Sequence, residues 1–335
     1  MEESESIKAA REKNERIRKT SYNSLFMNLD DLRFATNEKV ADYRARRLRC
    51  STIIDVGCGI GLQSIAFAKT CRKVYGIEID KRKAEYAKKN VKLLGLKNVE
   101  IIHGDALEAA SKINKADIVF CETARSPEAE SRSIEELQPG VRELLRAYGG
   151  LTDRFCIEVP PQLRKIGLDC EKEYVSVDHK LNRLNLYFGP LKKAEKSAVA
   201  LPSGQRVEES AKKAITGQPL KYLYEIDAAV VKAGLSKEMS GRDITLCRED
   251  LLTSKGKRES NLFRNSFMII ATCNNRHNEI IDILRHENAG KVILRQKIPP
   301  EDYWKERKRY EDRLNGDRTI YLFIQYDKAL VCKKI

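Results

Sequence analysis

The stretch DVGCGIG, residues 55–61, decides how this chain is read. An apolar run, Thr52–Val56, leads into it, and a helical pattern over 62–69 leads out. Gly57, Gly59 and Gly61 remove side chains where a backbone leaving a strand must turn sharply and approach a ligand. The helix start beyond them presents N–H groups that have no helical partner. A second strand, Val74–Ile77, ends at Glu78 in GIEID, 21 residues after Gly57. At that distance a carboxylate can accept both hydroxyls of a ribose. A third strand, Val99–Ile102, runs into HGDAL, with Asp105 just beyond its end.

Two ligand classes compete for such a loop. A dinucleotide site wants G-x-G-x-x-G, with a helix start facing a pyrophosphate. This chain has G-x-G-x-G, and the carboxylate of Asp55 precedes it. Next to a pyrophosphate that charge is unfavourable; next to a cationic, amino-bearing group it is favourable. The form resembles motif I of class I S-adenosylmethionine-dependent methyltransferases. The resemblance implies S-adenosylmethionine as cofactor, with Asp55 serving its amino end through water and Asp105 beside the adenine amine. A tight turn without a cofactor is the bland alternative, and the two acids in register after successive strands count against it.

Outward from this core the pattern alternates. A basic helix covers 81–94, a fourth strand 116–121, a helix 135–147 and a fifth strand 154–159. Stretches 171–177 and 182–188 read as a closing hairpin. Strands alternating with helices predict a parallel, doubly wound α/β sheet, Rossmann-like and seven-stranded. Upstream, 1–20 reads as a frayed, solvated helix, and a second helix spans about 36–48, with Thr36 or Asn37 as N-cap and Val40, Tyr43 and Leu48 as inner stripe. Downstream, 190–218 is rich in Lys, Ser and Gly, and a compact α/β module follows. The expected organisation is a helical segment 1–50, a catalytic core 51–190, a connector 191–217 and a C-terminal domain 218–335.

In this fold the acceptor sits past the fourth strand, which here ends ADIVFCETARSP. Methyl transfer is an in-line displacement that depends mainly on orientation. Glu122 can accept a hydrogen bond from an amine or take its proton, and Arg125 can hold a phosphate or carboxylate. Alternatively the two pair with each other and only shape a loop. Cys121 reads as a buried strand-end residue. Four histidines, and Cys273 with His277 in a single C-x-x-x-H, offer no metal geometry, so no metal is expected.

The whole pattern resembles the group around trimethylguanosine synthase, and more closely methyltransferases that carry a THUMP-like C-terminal domain. Their fourth-strand motif reads Asp-Pro-Ala-Arg-Arg. Ala124 and Arg125 match it, while Glu122, Thr123 and Ser126 replace the other three. LPSGQRVE (201–208), YLYEIDAAVVKAGL (222–235), LRHENAGKVILRQ (284–296) and LNGDRTIYLF (314–323) are similar to the C-terminal part. FATNEKVADYRARRL (34–48) is similar to a lead-in helix that covers the cofactor, which implies contacts from Phe34 and Thr36. The tryptophan with which the cap enzyme stacks on methylated guanine has no counterpart in the fourth-strand loop; the single Trp is Trp304.

THUMP-type domains bind structured RNA, so the resemblance implies tRNA or rRNA as partner and a base nitrogen, such as a guanine exocyclic amine, as acceptor. Charge agrees. The chain carries a net +14, and residues 191–335 hold 29 Lys and Arg against 20 Asp and Glu, so most of the excess lies there. In YWKERKRY (303–310), Lys305, Arg307, Lys308 and Arg309 alternate with aromatics, as phosphate contact plus base stacking requires. A solvated helix face with inward aromatics reads the same way. Asn274, Asn275 and Arg276 fall between a strand and a helix, as phosphate contacts or as ordinary turn residues. The rival readings are an inactive core retained for cofactor and RNA binding, and a protein or small-molecule methyltransferase.

Composition closes off other classes. A 41% hydrophobic, 33% charged chain of 335 residues can build packed cores. No run reaches the roughly 18–20 apolar residues of a membrane span. The charged start does not read as a secretory signal, and nine cysteines without a C-x-x-C pair lead to the expectation of a reducing cytoplasm.

Overall fold

The computed structural model describes residues 4–125, 133–163, 166–296, 298–325 and 327–335. The chain divides into two compact units, 1–209 and 210–335.

The first unit opens with three helices, α1 (Glu5–Ile17), α2 (Leu29–Phe34) and α3 (Glu38–Arg47). There follow β1 (Thr52–Val56), α4 (Leu62–Ala68), β2 (Lys73–Glu78), α5 (Lys81–Leu93), β3 (Val99–His103), α6 (Ala106–Ala109) and β4 (Ile118–Glu122). A small pair, β5 (Ala124–Arg125) and β6 (Leu137–Gln138), precedes α7 (Val141–Tyr148) and β7 (Phe155–Val159). The unit closes with β8 (Glu171–Val177), β9 (Lys180–Tyr187), β10 (Lys196–Leu201) and β11 (Gln205–Glu208). One nine-stranded sheet runs β11-β10-β8-β9-β7-β4-β1-β2-β3. The stretch from β3 to β7 is parallel, and β9 turns antiparallel against β7. This is the Rossmann-like fold expected.

Local chemistry explains the elements. The inner strands β1, β4 and β7 are almost wholly buried, as parallel strands covered on both faces must be, and so read as apolar runs. The side chain of Asn37 caps α3 by accepting from the N–H of Lys39 at 3.0 Å, and that of Asp80 caps α5 through Lys83 at 3.0 Å. The interior cluster of Ile53, Phe67, Val74, Ile118 and Phe120 lies between sheet and helices.

Three expectations change. The N-terminal stretch is solvated on one face only: Ala10 of α1 packs with Leu25, Met27, Leu32, Ile60 and Ile65, and buried Asn14 donates to the Thr20 carbonyl at 2.9 Å. The helix expected over 135–147 starts only at Val141, because Pro139 lacks an N–H and biases Gln138 away from helix. The supposed connector supplies β10 and β11, so the sheet has two more strands than the seven expected. Its continuous run Ala198, Val199, Ala200 and Leu201, all buried, is too apolar for a linker.

The second unit contains β12 (Tyr222–Ile226), α8 (Ala228–Ala233), β13 (Thr245–Arg248), β14 (Leu251–Ser254), β15 (Phe263–Asn274), α9 (His277–His286), β16 (Ala289–Leu294), α10 (Pro300–Glu311), β17 (Arg318–Gln325) and β18 (Lys328–Lys334). Its seven strands run β13-β14-β12-β15-β18-β17-β16, with only β16 and β17 parallel. Ile280, Ile281 and Leu284 of α9 and Tyr310 of α10 pack on Val292, Ile320, Leu322 and Val331. Among the described residues, no helix is long and apolar enough to cross a membrane.

Candidate active site

Because β4, β1, β2 and β3 are neighbours and parallel, their C-terminal ends form one edge. The loops beyond them gather the glycine turn, Glu78, Asp105 and Glu122, which lie far apart in sequence. Ligands of open α/β sheets bind at this edge.

Gly57, Gly59 and Gly61 all have positive φ, +73°, +58° and +91°, which explains why glycine stands at each. A side chain at Gly59 would project into open space above the loop. At Gly61, the first residue before α4, a Cβ would come within 3.4 Å of Ala87, so α4 and α5 pack closely there. Glu78 ties the turn together. Its Oε2 accepts the N–H of Gly59 at 2.8 Å, and its Oε1 accepts that of Asp80 at 2.8 Å. Each oxygen keeps a lone pair for a hydroxyl donor. Asp105 caps α6 by accepting from Leu107 at 2.8 Å and Glu108 at 3.2 Å.

Two further residues escaped the sequence reading. Ile79, directly after Glu78, is 67% exposed, and Leu107, two residues after Asp105, is 38% exposed. Exposed apolar side chains beside these acids suit the faces of a flat heterocycle. The available signal was an apolar residue shortly after each acid, in EID and GDAL.

Asp55 is buried, and its Oδ2 accepts the Ser64 hydroxyl at 2.5 Å. Burial pushes its carboxyl up to about 7, against the pull of that hydrogen bond. Glu122, at the end of β4, accepts the Thr36 hydroxyl at 2.9 Å. The lead-in segment therefore meets the fourth strand through two residues singled out separately. Burial and then the neighbouring Glu158 charge raise the Glu122 carboxyl to about 7, while Arg183, Arg44 and the Thr36 bond pull the other way. Phe34 is 66% exposed, with the Arg33 guanidinium 5.2 Å from its ring centre. The backbone of Arg125 pairs with Leu137; its side chain, like Ser126 and Pro127, lies outside the described part. Cys121 is fully buried, and burial raises its thiol well above the ordinary range.

Glu122 ends a polar row that only strand register reveals. Glu122 pairs with Glu158, Glu158 with Asn185, Asn185 with Glu173, and Glu173 with Ser197, across β4, β7, β9, β8 and β10. Paired residues of adjacent strands share a face. From α3, Arg44 pairs with Glu158, and Arg47 with Glu171 and Glu173. Arg183 reaches Glu158 at 2.6 Å, and Arg206 reaches Glu171 at 2.6 Å. Arg44 and Arg47 thus hold α3, and with it Thr36, on the sheet, while Arg183 and Arg206 share the same carboxylates from within it. Asp31 of α2 adds a two-pronged bond to Arg82 of α5 at 2.7 and 2.9 Å.

In the second unit, α9 and α10 lie together, with the His277 and Tyr310 rings 4.9 Å apart. Arg309 pairs with Glu306 at 2.9 Å and stays largely exposed, while Arg307 pairs with Glu311 at 2.8 Å and is mostly covered. Lys305 and Lys308 are exposed. Arg276, beside His277, pairs with Glu279 at 3.3 Å, and the Asn275 N–H donates to the Asp327 carbonyl at 2.6 Å. Among the described residues, no group of three or more His, Cys, Asp or Glu could hold a metal ion.

Comparison with known proteins agrees with this geometry. Residues 49–158 match a family described as a methyltransferase domain. A ribosomal protein L11 methyltransferase of Caldanaerobacter subterraneus is 36% identical over 132 residues, 37% of this chain and 41% of that protein. An uncharacterized S-adenosylmethionine-dependent methyltransferase of Mycobacterium tuberculosis is 26% identical over 220 residues, 63% of this chain and 60% of that protein. The chain thus spans about half the length of these curated relatives. A proposed methyltransferase from Porphyromonas gingivalis W83 shares the fold over 98% of this chain and 89% of its own, with a TM-score of 0.80 at 18% identity. The glycine turn and acids fit the group such domains use. The first unit of the chain therefore carries a class I methyltransferase domain, with S-adenosylmethionine as its cofactor.

Proposed function

We propose that the chain methylates a base nitrogen in a structured tRNA or rRNA of the cytoplasm. The observation that carries the reading is the convergence of the glycine turn, Glu78, Asp105 and the Glu122–Thr36 pair at one sheet edge. When bound, the cofactor supplies an electrophilic methyl on a sulfonium, which leaves as a neutral thioether. Glu78 holds the ribose hydroxyls, the turn at 57–61 follows the backbone-facing side, and Asp105 faces the adenine amine. Ile79 and Leu107 cover the adenine ring. Glu122, oriented by Thr36, accepts a hydrogen bond from the acceptor amine and takes the proton that amine loses as its nitrogen–carbon bond forms. A carboxyl near pH 7 is matched to that task. Phe34 lies over the cofactor, and Arg125 holds the flanking backbone.

RNA is favoured as acceptor by the basic balance of 191–335 and by exposed Arg276, Lys305, Lys308 and Arg309 on the adjoining helices. It also agrees with the resemblance to THUMP-bearing enzymes. The likeness to a ribosomal protein methyltransferase favours a second reading, a protein acceptor.

Labelled S-adenosylmethionine incubated with unmodified total RNA and ribosomal protein separates these. Label in a nucleoside, lost in Glu122→Ala while cofactor binding persists, is the expected result. Label in protein alone supports the second reading. Label in neither, with the cofactor bound, leaves a binding protein.

A further inference from the structure

Cys50 and Cys71 lie at the other end of β1 and β2, away from the glycine turn. The parallel register sets Thr52 opposite Lys73, and the Lys73 N–H donates to the Ser51 carbonyl at 2.9 Å. Cys50 and Cys71 each precede by two residues the first pair of that ladder, so both stand at the same end of the two strands. The two Sγ atoms are 3.8 Å apart. Closing to the bond length of about 2.05 Å asks for side-chain rotation and a small backbone adjustment. Among the described residues, no other two cysteine sulfurs lie within hydrogen-bond distance of each other. Cys50 is partly exposed, so a small oxidant can reach the pair, while Cys71 is 5% exposed.

We propose that Cys50 and Cys71 form a reversible oxidation site that closes a disulfide between the first two strands of the methyltransferase sheet. With a peroxide as oxidant the chemistry balances. The thiolate of one cysteine attacks a peroxide oxygen, the O–O bond breaks, and the departing oxygen leaves as water. The sulfenic acid so formed is attacked by the partner sulfur, its S–O bond breaks, and a second water leaves. Two thiols lose two electrons and two protons, and the peroxide takes them up. A hydrogen bond between the two sulfurs favours thiolate on one member of the pair. The new bond encloses residues 50–71, which include β1, the whole glycine turn and α4. It restricts the unfolded chain and so stabilises the fold. A thiol reductant reverses it, as expected of a disulfide in a reducing compartment.

The test treats the full chain with hydrogen peroxide, caps the remaining thiols, and maps peptides without reduction. A Cys50–Cys71 linked peptide is expected, with two of the nine thiols lost. The melting temperature should rise by about 5–10 °C and fall back with dithiothreitol. Cys50→Ser and Cys71→Ser should each abolish the linked peptide and the shift. The proposal is overturned if the map shows Cys50 and Cys71 both still capped as free thiols, separately over-oxidised, or linked to other cysteines. It is also overturned if the linked protein melts no higher than the reduced one. The peptide map uses the native chain, so poor folding of a variant does not decide the outcome.

Discussion

At Asp55 and Glu122 the fold places carboxyls where charge is costly. Both are raised to about 7, chiefly by burial, from ordinary values of 3.8 and 4.5. The folded chain therefore binds more protons than the unfolded chain between those values and about 7. Stability follows the difference in bound protons, so this contribution is full below about pH 4, declines as pH rises and is gone above about pH 7. Asp55→Asn keeps an acceptor for the Ser64 hydroxyl but cannot ionise. Urea unfolding at pH 4 and pH 7.5 should show the wild type losing a few kcal/mol relative to this variant across that window. Equal slopes for both proteins would mean that Asp55 titrates as an ordinary carboxylate. The value of such a group near neutrality is at Glu122, where a proton acceptor must be able to carry its proton at working pH.

At the level of elements, α3 is the instructive case. Its sequence, EKVADYRARR, looks like a charged surface helix, yet Arg44 is fully buried. Val40 lies on the same helix face one turn earlier, so the apolar stripe was visible, but nothing local says that an arginine continues it. The reason lies more than 100 residues further along the chain, in Glu158 of β7 and Asn185 of β9, which need a cation and donors beneath the sheet. Arg44→Met keeps much of the packing and leaves Glu158 with only Arg183. Removing one partner of a buried pair typically costs about 3–5 kcal/mol. Denaturant unfolding should register a loss of that order, and Glu158→Gln in the same chain should recover much of it. A loss below about 1 kcal/mol would show that the pair is not what holds α3 down. The segment before α7 makes a smaller point at the same scale, since Pro139 disfavours helix at Gln138 and α7 begins only at Val141.

For the whole molecule, charge makes the testable statement. If exposed Lys305, Lys308, Arg309 and Arg276 contact phosphates, the logarithm of the RNA association constant must fall linearly with the logarithm of salt concentration. Charge removal at one true contact should reduce that slope by about one ion. Filter binding of tRNA to Lys308→Ala and Arg309→Ala tests each, with Arg307→Ala, already paired to Glu311, expected to change it least. Unchanged slopes for all would remove this face from RNA contact. The sequence by itself determined the strand–turn–helix core, because glycines, alternating elements and acids at strand ends are local signals read over a few residues. It also pointed to the cofactor, since three successive strand ends follow one spacing logic. Only the tertiary structure decided that Thr36 bonds to Glu122, that Arg44 lies under the sheet, that 196–208 extends it and that Cys50 faces Cys71. Each of these depends on how separate elements pack against one another, and that is set by the burial of whole faces, which no local pattern encodes.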